Sequence, residues 1–240
     1  MTEHNQKDST IDGAMIVAKA GLSLFPGGGI LSILLESYIP TTWQKRTEES
    51  LAQIREDYER LKSQLKDDRL RSEDFHITMI KIIRDIVPEQ HKEKQEAFRA
   101  ILLNEAIQDS AGSETDFFIK ITEDLTSEHI LALKVLADPS KAYNEYPAVR
   151  NSIDSMKSLN REGMGGDSII SRLLKPALPD ILEDHWLVVL DGLTRSGLII
   201  DPGVVFGGRS GWTSPKNSQN ILQKKTTLLG DRYIRYITLP

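Results

Sequence analysis

Gly203-Val-Val-Phe-Gly-Gly-Arg-Ser210 comes nearest to a ligand-binding motif in this chain. It has the Gly-x4-Gly-basic-Ser spacing and follows a short apolar run, Leu198-Ile-Ile200. A loop of that kind cradles phosphates on successive backbone N–H groups, reaches the outer phosphates with a lysine and hands over to a helix N-terminus. Here Arg209 stands in the lysine position, and Gly211-Trp-Thr-Ser-Pro215 cannot open a long helix. The sequence therefore predicts a flexible glycine-rich hairpin rather than a nucleotide site. The histidines, His4, His76, His91, His129 and His185, never stand three to five residues apart, which removes the compact metal spacings. No serine occupies a nucleophile-elbow context, and the carboxylates fall on expected solvent faces. The expectation is a non-enzymatic protein with no catalytic residue, no cofactor, no metal and no evident small-molecule substrate.

The elements around these residues are mostly helical. Ala14 to Ile39 is strongly apolar but broken by Pro26, Gly27, Gly28 and Gly29, which predicts two short helices hinged at a turn. Neither half approaches the roughly 20 apolar residues of a spanning helix, and Lys19 and Glu36 interrupt the stretch. The hairpin is either buried in a bundle or membrane-active, and Ile33 and Leu34 are its test positions. After Pro40, Leu51, Ile54, Tyr58, Leu61 and Leu65 recur at alternating spacings of three and four, a bundle seam with a charged outer face. Further helices are expected over residues 71–87 (Phe75, Met79, Ile82, Ile83 and Ile86 inward), over 89–108 (Phe98, Ile101, Leu102 and Ile107), from Ser113, and from an N-cap at Thr126 to Asp138-Pro139.

Beyond Pro139 the pattern changes. A helical connector over 143–156 and a loop with three glycines at 160–166 lead to a short helix over 168–174. A longer helix follows over 180–196, with Ile181, Leu182, Trp186, Val189, Leu190 and Leu193 inward and Gly197 as its C-cap. Strand candidates at Leu198–Ile200, Val204–Phe206 and Ile221–Leu222 flank a Gly/Ser/Asn-rich excursion, and Thr226 or Thr227 caps a final helix. Helix, helix, strand, glycine-rich hairpin, helix is a winged-helix order. The predicted fold is mainly α: a polar tail over 1–9, an all-α bundle over 10–138 with the apolar hairpin 14–39, a connector over 139–167, and a winged-helix-like domain over 168–240.

Composition agrees with two surfaces. The 240 residues carry a net charge of -5 and are 39% apolar, enough for a real core. Residues 1–140 hold 17 Lys/Arg against 25 Asp/Glu, whereas residues 141–240 hold 13 against 10. With no cysteine there is no disulfide framework or thiolate metal site. The opening lacks a charged-apolar-small leader pattern, so a cytoplasmic and bacterial setting is expected, with membrane association only on activation.

Two segments resemble a known family. Lys94-Gln-Glu-Ala-Phe-Arg-Ala-Ile-Leu-Leu-Asn-Glu-Ala106, followed by Phe117-Phe-Ile-Lys-Ile-Thr-Glu-Asp-Leu-Thr-Ser-Glu-His-Ile-Leu-Ala-Leu133, resembles the helical core of bacterial abortive-infection alpha proteins and related helical proteins. Leu193-Thr-Arg-Ser-Gly-Leu-Ile199 with Thr227-Leu-Leu-Gly-Asp-Arg-Tyr-Ile234 resembles the winged-helix ending of that set. The resemblance implies phage defence and supplies no catalytic residue. A protein partner or a second copy of the chain is therefore the first expectation. A membrane-disrupting effector is the second and a DNA-binding regulator the third. The predicted recognition helix, 180–196, carries Asp180, Glu183, Asp184 and Asp191 against Arg195, which repels phosphate. Lys224, Lys225, Arg232 and Arg235 are the basic residues left to touch a partner, beside the hairpin residues Pro26 to Gly29, Ile33 and Leu34.

Overall fold

The computed structural model describes residues 44–86, 89–107, 112–158, 170–200 and 222–239. Their fold is mainly α, and they contain one isolated β-bridge. The chain divides into two compact units, residues 1–123 with 236–240, and residues 124–235. The hairpin 14–39, the glycine loop at 160–166 and the Gly203–Ser210 segment lie outside the described residues.

The first unit begins with α1 (Gln44–Leu61), where Ile54, Tyr58 and Leu61 form the expected buried stripe. The helix stops at Leu61, one turn earlier than the spacing predicts. A turn closed by Gln64 N–H on the Leu61 carbonyl (2.8 Å) redirects the chain, and Lys66 N–H then bonds the Ala106 carbonyl (3.1 Å). Leu65 is thus only half-buried and off the helix. A short turn of helix, α2 (Asp67–Leu70), buries Leu70. Ser72 caps α3 (Glu73–Ile86) by accepting from Phe75 N–H at 3.2 Å, which sets its start two residues later than expected. Phe75, Met79, Ile82, Ile83 and Ile86 are all buried.

Every residue from Ala97 to Ala106 of α4 (Lys92–Ile107) is buried, so this helix is enclosed on all sides. Glu105 among them corrects the expectation that carboxylates face solvent. It is fully buried, pairs with Arg69 at 2.6 Å and accepts from the Thr115 hydroxyl of α5 (Gly112–Asp124). A buried carboxylate persists only when paired in this way. Asn104 donates to the carbonyls of Tyr236 (2.9 Å) and Thr238 (3.1 Å), and the Tyr236 ring lies 4.7 Å from Phe118.

The second unit opens with α6 (Ser127–Ala137), capped by Thr126 as expected. Asp138 caps α7 (Pro139–Glu145) by accepting from Lys141 N–H at 2.9 Å, with Pro139 at its first position. The predicted single connector is two helices, because Pro147 forces Tyr146 into an extended conformation before α8 (Pro147–Ser158). The Tyr143 hydroxyl ties the two together by donating to Asp154 at 2.9 Å.

A wide π-type turn, Ile170–Leu174, leads into α9 (Lys175–Ala177). Pro176 has no N–H to give the carbonyl four residues back, which opens the turn before it. Next, α10 (His185–Arg195) buries Trp186, Val189, Leu190 and Leu193. It begins five residues later than expected, after turns closed by Ile181 N–H on Leu178 and His185 N–H on Leu182. Leu182 therefore escapes the helical register and is exposed, against the sequence reading.

Gly197, at a φ of 68°, ends α10 as predicted: its N–H bonds Thr194 and that of Leu198 bonds Leu193. This is the paired closure that a left-handed glycine permits. Instead of a strand, Leu198–Ile200 makes one antiparallel bridge, Ile199 to Thr226, flanked by Ile200 N–H on Lys225 and Thr227 N–H on Leu198. Thr227 then caps α11 (Leu228–Tyr236) by accepting from Gly230 N–H at 3.0 Å. A Cβ on Gly230 would collide with the Leu198 carbonyl, so glycine alone allows α11 to sit on the bridge.

Candidate functional site

Among the described residues, the chemistry-bearing side chains are mostly committed to structure. In the first unit, a polar cleft of about 320 Å³ is lined by Glu49, Ser50, Gln53, Glu89, Gln90 and Gln95. Glu89 accepts from the backbone N–H groups of Gln90 (2.8 Å) and His91 (2.9 Å) and from the His91 ring (2.8 Å), and Lys94 lies 3.5 Å away. Burial pushes the Glu89 carboxyl up, but these bonds and the Lys94 charge outweigh it and hold the group below the usual glutamate range. Gln53 accepts from Arg99, whose Nε also bonds Asp57 at 3.2 Å. The lining thus serves the start of α4 and the α1–α4 contact. No group of three or more metal-ligating side chains occurs among the described residues.

The second unit holds the predicted basic quartet. Lys224, Arg232 and Arg235 are exposed, and Lys225 is half-buried. Lys224 pairs with Asp231, which also accepts from the Thr226 hydroxyl. Burial pushes the Asp231 carboxyl up, but the bonds from Lys224 and Thr226 and the charges of Lys224 and Arg235 hold it below the usual aspartate range. Burial lowers the Lys225 ammonium. The structure brings Lys224 and Arg235 around one carboxylate, so the quartet is not a bare cationic patch. Pro26, Gly27, Gly28, Gly29, Ile33 and Leu34 lie outside the described residues.

Sequence reasoning missed the outer face of α10. His185, Val188, Asp191 and Arg195 point outward at spacings of three and four. Arg195 pairs with Asp191 at 2.8 Å, and His185 stands 3.4 Å from Glu128 of α6. The expected acid excess of this helix is absent, because Asp180, Glu183 and Asp184 precede it. Val188 is 65% exposed between these balanced charges, Leu182 just upstream is 61% exposed, and Leu228 at the start of α11 is 84% exposed. The outward position of Val188 is legible from its place opposite Trp186 and Val189. Leu182 carries no such signal, because its exposure follows from turns that the apolar pattern does not mark.

The inner face of the same helix meets a histidine. His129, the third residue of α6, is buried and completes a reciprocal cap: Thr126 Oγ1 accepts from His129 N–H (3.4 Å), and His129 Nδ1 accepts from Thr126 N–H (3.3 Å). A Cβ on Gly192 would overlap the His129 ring, so α6 and α10 meet at glycine distance. Among the described residues, no helix is long and apolar enough to cross a membrane. Comparison with protein-family models, with curated proteins and with solved structures gave no match.

Proposed function

We propose that this chain is a non-enzymatic protein-interaction module of the phage-defence, abortive-infection type, that residues 168–240 are winged-helix-like, and that the part of them in the second unit carries the contact surface. The observation behind this reading is the outer face of α10, where exposed Val188 sits among charges that already pair with one another. A phosphate backbone is bound through unpaired Lys/Arg. A protein partner is instead gripped by apolar anchors inside a polar rim, and Val188 and Leu182 beside Asp191 and Arg195 fit that pattern. The helix, closing turn, bridge and capped helix from His185 to Tyr236 support the winged-helix assignment.

The test is protection of a bacterial host expressing the full chain against a phage panel, scored by plaquing efficiency. Wild type should lower plaquing, and Leu182→Asp with Val188→Asp should restore it while the circular-dichroism melt stays unchanged. Protection that survives this double change would remove the surface assignment. Loss of protection in Lys224→Glu with Arg232→Glu, but not in the apolar pair, would favour nucleic acid. Collapse of membrane potential on expression would favour the membrane effector, and plaquing unaffected by wild type across the panel would count against phage defence altogether.

A further inference from the structure

We propose that the Thr126–His129 cap, wedged against Gly192, is an acid-sensitive latch: protonating His129 undoes the first turn of α6 and loosens its seam with α10. The ring's hydrogen bonds fit one protonation state. Nδ1 accepts from the Thr126 backbone N–H, which cannot turn round to become an acceptor. The Val188 backbone acts on the ring in the sense that favours its protonated form, as a carbonyl facing a ring N–H would. The neutral tautomer with its proton on Nε2 satisfies both. The Thr126 hydroxyl, 2.7 Å from Nδ1, could reverse to accept from a protonated ring, but the backbone N–H would then face a second donor.

Two further features oppose the cation. The ring is buried and lies so close to Gly192 that a Cβ there would overlap it. It also sits in the first turn of α6, where the helix dipole disfavours positive charge. Burial accordingly depresses the His129 pKa, opposed by the Val188 bond and by the charge of Glu128. Glu128 is the charge acting on the ring from its own helix, and the titratable and charged groups of α10 are His185, 3.4 Å from Glu128, and the Asp191–Arg195 pair. Also packed on α6 are α7 and the 170–174 turn, whose charged residues are Lys141, Glu145 and Arg172, and Lys225, whose backbone N–H bonds the Leu136 carbonyl at 2.9 Å.

The sign of the pH dependence follows. A histidine with a depressed native pKa binds more protons unfolded than folded, so its contribution is complete above the unfolded value of about 6.5 and is lost as pH falls below it. The device is independent of what the outer face of α10 binds.

The experiment is a ring-resonance titration of the full chain from about pH 8 to about pH 5, spanning the unperturbed histidine value. It is paired with denaturant unfolding of wild type and His129→Gln over the same range. Glutamine keeps a capping-box partner at this position but cannot titrate. The expected result has three parts: the resonance missing in His129→Gln titrates below the free value, wild type loses stability on acidification relative to the variant, and the first-turn amides of α6 lose exchange protection in acid. Titration of that ring at or above the free value would overturn the latch, as would parallel pH profiles of the two proteins. Should His129→Gln not fold, the wild-type titration decides alone, with Glu128→Gln expected to move the His129 midpoint lower still.

Discussion

At the residue scale, the decisive positions are those where a side chain is missing. Gly230 has no special sequence context beyond the Thr-x-x-Gly spacing from Thr227. In the fold, the missing Cβ lets the Leu198 carbonyl reach the Thr227 N–H while α11 passes directly over it. An added methyl meets backbone rather than a yielding side-chain end, so the helix must lift off the bridge. Gly230→Ala should therefore destabilise by about 2 to 4 kcal/mol despite alanine's better helix propensity, a sign opposite to that at an exposed helical glycine. Chemical denaturation reads this directly, and an alanine variant as stable as wild type would mean that α11 does not sit on Leu198. Glu105 shows the converse. Its place two residues before Ile107 gave it no solvent face, because α4 is enclosed all round, and the Arg69 and Thr115 partners that make its burial tolerable come from distant sequence.

At the element scale, what was legible was the punctuation with a local mechanism. Thr126, Asp138 with Pro139, Gly197 and Thr227 each act on groups within four residues: Thr126 and Gly197 stand where the sequence places them, Asp138-Pro139 ends α6 as expected but also opens α7, and Thr227 is the one of two offered threonines that caps α11. Element ends set by distant partners were not legible. The α1 stripe continues to Leu65 in spacing, but the helix breaks at Leu61 because Lys66 N–H is taken by Ala106, forty residues on. The seam prediction consequently narrows. Ile54 and Leu61 are buried, and Leu61→Ala should cost about 2 to 4 kcal/mol, whereas Leu65→Ala, half-buried and off the helix, should cost less than half of that. Equal losses at the two positions in urea unfolding would show that the helix runs on through Leu65. Of the candidate site, the basic quartet could be named from sequence. The pairing of Lys224 with Asp231 could not, since helical spacing does not reveal that Lys224, which precedes α11, reaches this carboxylate within it.

At the scale of the whole molecule, the two units are not consecutive in sequence. The last residues, 236–240, belong to the first unit although residues 124–235 intervene. Nothing local distinguishes Tyr233, assigned to the second unit, from Tyr236, assigned to the first: both are buried aromatics three residues apart on one amphipathic helix. The first unit uses this return. Asn104 on enclosed α4 has its amide N–H groups satisfied by the Tyr236 and Thr238 carbonyls, and the Tyr236 ring fills the space beside Phe118. Truncation before Tyr236 would remove the two carbonyls that accept from the buried Asn104 amide and open a void against Phe118, two separate penalties. Tyr236→Ala removes only the ring and keeps both carbonyls, so it isolates the packing part. It should cost about 3 to 5 kcal/mol, and hydrogen exchange should place the loss in α4 and α5. Removal of residues 236–240 should cost more than the alanine change, by the margin of the stranded Asn104 amide. A truncated protein no less stable than Tyr236→Ala would mean that Asn104 finds other acceptors, and loss of exchange protection confined to α6 and α10 would mean that the terminal residues serve the second unit instead.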